Sequence, residues 1–301
     1  MKRIALLLFV LAMVSLPFLS CSAQMNKIAV ITLSGTIEPS PRSPFLGGST
    51  ITPDEVRSYL HKASDDLMVR AVVIRVDSPG GDPAASQEIA GEIGRMKKPV
   101  VVSMRSMATS GGYYISAMAS RIVALPSTQT GSIGVITQIP NLKGLFDKLG
   151  IKMEILKSGK YKDMYAGMRE LTAEEKDIVQ KITDQYYEQF IDVIVKGRHM
   201  DRQKVLEIAD GRIYTGVEAK ELGLVDELGD VQTAIDLAAE LAGVSSFEPE
   251  YYEPEITGLL RRLMGAGSGP IKDAFKTGFL DAEGITVMRI LENPYPVYRY
   301  Q

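Results

Sequence analysis

One serine stands where a chain could use it as a nucleophile. Ser110 follows an apolar run, Pro99 to Met104, that reads as a buried strand. It precedes Gly111-Gly112-Tyr113-Tyr114 and a small-residue segment, Ser116 to Ser120, that reads as a helix. A sharp strand-to-helix turn presents the side chain at its apex and aims unbonded backbone N–H groups at whatever lies in front of it. Nucleophile and oxyanion donors then share one turn, which is the need of acyl transfer. The same pattern also suits a serine that only caps a helix, so the rest of the chain has to decide.

A serine nucleophile needs a base. The chain has two histidines, His61 and His199, both among charged residues (Lys62, Asp65 and Asp66; Arg198, Asp201 and Arg202), and both read as surface side chains. The single cysteine, Cys21, leaves no internal disulfide and, with so few histidines, no His/Cys metal cluster. No metal and no cofactor are expected. The remaining candidates are lysines at a strand end. Burial penalises the ammonium and lets a lysine act as a proton acceptor. Lys157, Lys160 and Lys162 all follow the apolar segment Ile151 to Leu156, which reads as a strand, and spacing does not choose among them.

The elements that must position these groups alternate. Strands are expected at Ile28–Ile37, Val69–Val76, Pro99–Met104, Arg121–Leu125 and Ile151–Leu156. Helices are expected from Pro53 (capped by Thr52), Pro83 (capped by Asp82), Asn141, Thr172, Arg202 and Asp230. This alternation predicts an α/β fold with a mostly parallel sheet. Ligands of such sheets sit beyond the carboxyl ends of the strands. Two Gly-rich turns converge there: the Ser110 turn, and Asp77-Ser78-Pro79-Gly80-Gly81 after the second strand.

The chain has 301 residues, 45% of them hydrophobic, and a formal net charge of −3, which disfavours nucleic acid as a partner. Residues 1–24 pair a basic start (Lys2, Arg3) with an apolar run and small residues, the pattern of an export signal or membrane anchor. Ser20-Cys21 at its end is similar to a lipoprotein processing site. Both readings put the body on the extracytoplasmic side of a membrane. Residues 25–246 read as that body. Residues 247–301, interrupted by Pro and Gly, read as a helical or irregular extension whose aromatic end, Asn293 to Gln301, is expected near an apolar groove.

Four stretches in register resemble the signal peptide peptidase A family, in its short form. They are Asp77-Ser78-Pro79-Gly80-Gly81, Ala108-Thr109-Ser110-Gly111-Gly112-Tyr113-Tyr114, Thr130-Gly131-Ser132-Ile133-Gly134 and Ser158-Gly159-Lys160-Tyr161-Lys162-Asp163. The resemblance implies a Clp/crotonase-like fold of repeated ββα units and a serine endopeptidase with a Ser/Lys dyad. It assigns Ser110 as nucleophile, Lys162 as general base, Ser132 as the hydroxyl orienting the lysine, and the amides of Gly80 or Gly81 and of Gly111 as the oxyanion hole. It also implies unfolded or apolar peptide substrates, leftover signal peptides among them, and a homo-oligomer. A crotonase-type acyl-CoA enzyme would need the oxyanion amides without the Ser/Lys pair, and an idle membrane-tethered scaffold would need neither.

Overall fold

The structure, a computed structural model, describes residues 25–41 and 49–252, together with the backbone of 297–299. In chain order the elements begin with β1 (Asn26–Ser34), β2 (Thr36–Ile37), β3 (Thr50–Ile51), α1 (Pro53–Asp65), β4 (Val69–Ser78) and α2 (Pro83–Arg95). Next come β5 (Val100–Thr109), α3 (Gly111–Ser116), β6 (Arg121–Ala124), β7 (Gln129–Gly131), β8 (Ile136–Gln138) and α4 (Lys143–Lys148). The long α5 (Ala173–Arg198) is followed by α6 (Arg202–Ile208), β9 (Ile213–Thr215), α7 (Gly216–Glu221), β10 (Glu227–Leu228), α8 (Val231–Leu241), β11 (Phe247–Tyr252) and β12 (Val297–Arg299).

The central strands β4 and β5 bury consecutive side chains on both faces. That is the signature of a parallel sheet covered on each side by helices. The sheet runs in the order β10-β6-β5-β4-β1-β11, all neighbours parallel. On one face, Val72, Ile74 and Val102 pack with Leu60 of α1, Ile89 of α2 and Phe190 of α5. On the other, Val30, Val73 and Val101 lie under Ala234, Ile235 and Ala238 of α8. Full burial of one such aliphatic side chain stabilises by about 1.5–3 kcal/mol, so β4 and β5 form a stiff frame. Both carry a site turn at their carboxyl ends. The strand–helix units expected from the sequence are present, and Thr52, Asp82 and Thr172 cap their helices.

Three elements differ from expectation. The helix after Ser110 spans Gly111–Ser116, ahead of the expected Ser116–Ser120, because the Ser110 carbonyl already accepts the Tyr114 N–H at 2.8 Å. Ile151 to Leu156 is not a strand: it has no strand partner among the described residues. It leaves Ile151, Met153 and Ile155 at 41–58% exposure and Leu156 at 92%. Phe247–Tyr252, expected as the start of an irregular extension, pairs with β1 as an edge strand, where Pro249 costs no ladder bond toward a further neighbour.

The leader with Cys21 and residues 253–296 and 300–301 lie outside the described residues. Within the aromatic end, the backbone of Val297–Arg299 pairs antiparallel with β8. Among the described residues no helix is long and apolar enough to cross a membrane.

Candidate active site

Ser110 follows the last residue of β5 with φ 53° and ψ −117°, a backbone conformation that non-glycine residues rarely adopt. Two bonds hold it there: its N–H donates to the Gly131 carbonyl at 2.8 Å, and its carbonyl receives Tyr114. The side chain is fully buried, and its Oγ has no hydrogen-bond partner among the described residues. A buried hydroxyl without a partner costs about 1–3 kcal/mol. Strained backbone and an unsatisfied polar atom at one residue mark a place where stability has been given up for function.

Ser132 reaches the same neighbourhood through β7. Ala108 pairs with Thr130, and Thr109 with Gly131, so Ser132 follows directly on the residue that receives the Ser110 N–H. Ser132 is 6% exposed, has φ 49°, and donates its N–H to the Arg212 carbonyl at 2.7 Å.

The two Gly-rich turns meet. A Cβ on Gly111 would lie 3.1 Å from the Gly81 nitrogen and 2.8 Å from Ser86 Oγ, and one on Gly112 would lie 2.8 Å from the Ser78 carbonyl oxygen. Only glycine permits this approach. The structure also separates the two glycines of the first turn. The Gly80 N–H donates to Ser78 Oγ at 3.1 Å, and the Gly80 carbonyl accepts from Ile37. Among the described residues no hydrogen bond uses the amides of Gly81 or Gly111. Gly81 and Gly111 are therefore the pair suited to an oxyanion, and Gly80 supports them. A Cβ on Gly81 would stand 2.0 Å from the Ile37 carbonyl oxygen. Gly81→Ala is expected to displace that amide and lower kcat by about 10²–10³-fold, with KM changed far less; steady-state kinetics on one peptide checks this.

The three candidate lysines are sorted by their partners. Lys157 Nζ pairs with Asp163 at 2.6 Å and also donates to the Lys160 carbonyl at 3.1 Å. Lys160 pairs with Glu174, and that hydrogen bond holds its ammonium protonated more firmly than an ordinary lysine. Lys162 is exposed and enters no ion pair among the described residues. Since Ser110 Oγ has no partner, Lys162 does not hydrogen-bond to it in the single chain. The loop's other contacts, all to or near the N-terminus of α5, were not legible in the sequence. Tyr161 donates to Glu174. Arg169 donates to Asp163 at 2.8 and 3.0 Å and to Glu175 at 2.6 and 2.7 Å. Arg169, and then Lys157, hold the Asp163 carboxyl well below the usual range. Arg169 and the Thr172 N–H draw Glu175 down to about 2. The Thr172–Glu175 spacing marked a helix start, but nothing in it disclosed a second partner for Glu175.

Both histidines are exposed, as expected. His199 closes α5 with φ 53° and lines a cavity of about 400 Å³ together with Val100 and Asp226. Val100 opens β5 and Ser110 follows its end, about 30 Å apart at strand rise.

The profile of Peptidase family S49 matches residues 92–245. The chain is 36% identical over 246 residues to "Putative signal peptide peptidase SppA" of Enterococcus faecium, covering 81% of this chain and 72% of the relative. It is 36% identical over 248 residues to "Protease 4" of Salmonella typhi, covering 81% of this chain and 39% of that longer protein. Among solved structures, a mutant of the "1510-N membrane-bound stomatin-specific protease" superposes with a TM-score of 0.50 at 19% identity, over 76% of this chain and 99% of that one.

Proposed function

The chain belongs to peptidase family S49 and is a serine peptidase, and from that premise we propose that it cleaves unfolded and apolar peptides, cleaved signal peptides among them, through an acyl-enzyme on Ser110. Lys162 takes the Ser110 proton and returns it to the leaving amine. Ser132 orients the lysine without adding charge. The amides of Gly81 and Gly111 receive the oxyanion. Ser110 carries this reading: a buried hydroxyl on a strained turn, without a partner among the described residues, beside two amides that no group among those residues uses.

The proposal includes self-association. In the single chain Lys162 is exposed, and the stretch before it leaves Leu149, Ile151, Met153, Ile155 and Leu156 in solvent. Covering that apolar stretch with a second copy would supply the desolvated setting a lysine base requires. It would also give Ile151, Met153 and Ile155 the partner their alternation asks for. Residues 1–24 then hold the body at the extracytoplasmic face of a membrane, as a retained anchor or through lipid on Cys21, and residues 247–301 extend the body from β11, which belongs to its sheet.

The test is cleavage of an unfolded protein and of apolar peptides by the full chain in detergent, from neutral to alkaline pH, at two protein concentrations. Cleavage that rises toward alkaline pH and falls per chain on dilution is expected. An associated chain that cleaves nothing at any pH would point to a scaffold instead.

A further inference from the structure

The Lys162 loop is tied on both sides of the lysine. Lys160 and Tyr161 are bound to Glu174 in the first turn of α5. Asp163 is bound to Arg169 and Lys157, and Arg169 is bound in turn to Glu175 in the same first turn. Asp163 and Glu175 retain only 8% and 4% side-chain exposure. Glu175 is itself fixed, because its carboxylate accepts the Thr172 N–H at 2.9 Å in the capping box that starts the helix. The guanidinium of Arg169 thus bridges a loop carboxylate and a helix carboxylate, with two hydrogen bonds to each. Lys162 is the residue of the stretch left without such a tie among the described residues.

Building on the Ser/Lys reading, we propose that Arg169 is a positioning residue, a two-carboxylate clamp that seats the Lys162 loop on the N-terminus of α5. The clamp ties Asp163 on one side of Lys162, as Glu174 ties Lys160 and Tyr161 on the other, and leaves the Lys162 amine to reach the serine. Together with Lys157 it occupies Asp163, the nearest carboxylate in sequence, and so keeps that carboxylate from pairing with Lys162. A planar guanidinium gives each of the two carboxylates a pair of bonds in fixed directions, whereas an ammonium can meet both only as a point charge and without that fixed geometry. Misplacing a catalytic group by about 1 Å costs on the order of 10²-fold in rate, so the loop's seating is a kinetic quantity.

The charged residues from Lys157 to Glu175, besides Lys162, are Lys157, Lys160, Asp163, Arg169, Glu170, Glu174 and Glu175. Removing Arg169 takes the shared cation from two carboxylates among them, leaving Asp163 to Lys157 and Glu175 to the Thr172 N–H. Arg169→Gln and Arg169→Lys are each expected to lower kcat by about 10–100-fold with KM within about twofold. Both should move the acidic limb of the kcat/KM profile toward alkaline pH by about half a unit or more. Asp163→Asn, which cuts the loop from the clamp and leaves the Arg169–Glu175 bridge intact, should lower kcat alike; a thermal melt of each variant reports its folding. Lys162→Met runs alongside in the full chain. Wild-type kcat and an unmoved limb in Arg169→Gln, beside an inactive Lys162→Met, overturn the clamp and leave the dyad standing. Lower activity with an unmoved limb, restored by Arg169→Lys, also overturns it, since charge alone would then suffice. An active Lys162→Met removes the dyad and with it the object of the clamp.

Discussion

Ser110→Ala is expected to bind an apolar peptide as the unsubstituted chain does and to cleave it at least about 10³-fold more slowly. The backbone bonds that hold the turn, Ser110 N–H to Gly131 and Tyr114 N–H to the Ser110 carbonyl, do not involve the side chain. The amides of Gly81 and Gly111 stay where they are, so any residual catalysis above water is expected to come from them. The variant also has a stability signature. The Oγ of Ser110 is buried without a partner, and deleting an unsatisfied buried hydroxyl removes its desolvation cost. The melting temperature of Ser110→Ala is therefore expected to equal or exceed that of the unsubstituted chain. A serine that merely capped α3 would give the opposite, a loss of about 1 kcal/mol. No side-chain cap bond is present at this helix.

Lys162→Met is expected to match Ser110→Ala in lost cleavage, by about 10³-fold or more near neutral pH, because the serine then has no acceptor for its proton. Methionine keeps the length and apolar stem of lysine, so packing of the loop changes little. The two neighbouring lysines make the series discriminating. Lys160→Met breaks an exposed, solvent-screened ion pair with Glu174 and leaves Tyr161 bound to the same carboxylate. Lys157→Met breaks the pair with Asp163, but Arg169 still holds that carboxylate with two bonds. Both are expected to stay within a few-fold of the unsubstituted chain. Kinetics of the three variants on one peptide measures this. Equal losses in all three would make the loop's total charge, rather than one amine, the active feature.

The elements legible in the sequence were those whose signals are local. Val69 to Val76 is an uninterrupted apolar run apart from two arginines, and it became the central strand because both faces of a parallel sheet are dry. Thr52, Asp82 and Thr172 announced helices through short-range caps that the folded chain retains. The convergence of the two Gly-rich turns followed from their placement at strand ends. What escaped depended on distant partners. Ile151, Met153 and Ile155 alternate as a strand should, yet a strand needs a neighbour, and the single chain gives them none among the described residues. Phe247–Tyr252, with two glutamates and a proline, has little intrinsic strand character and is a strand because β1 offers it an edge. The choice of Gly81 over Gly80 required seeing that Ser78 Oγ already holds the Gly80 amide. The Arg169 bridge required knowing that residues 163, 169 and 175 meet.

The central claim is that Ser110 is acylated with Lys162 as its base. The most direct measurement is the intact mass of the full chain during turnover of a peptide ester, followed by mapping of any adduct, in the unsubstituted chain and in Lys162→Met. An acyl group on Ser110 that forms faster toward alkaline pH, and does not form in Lys162→Met, is the predicted result. Cleavage with no adduct on Ser110, or an adduct that forms as fast without Lys162, would contradict it.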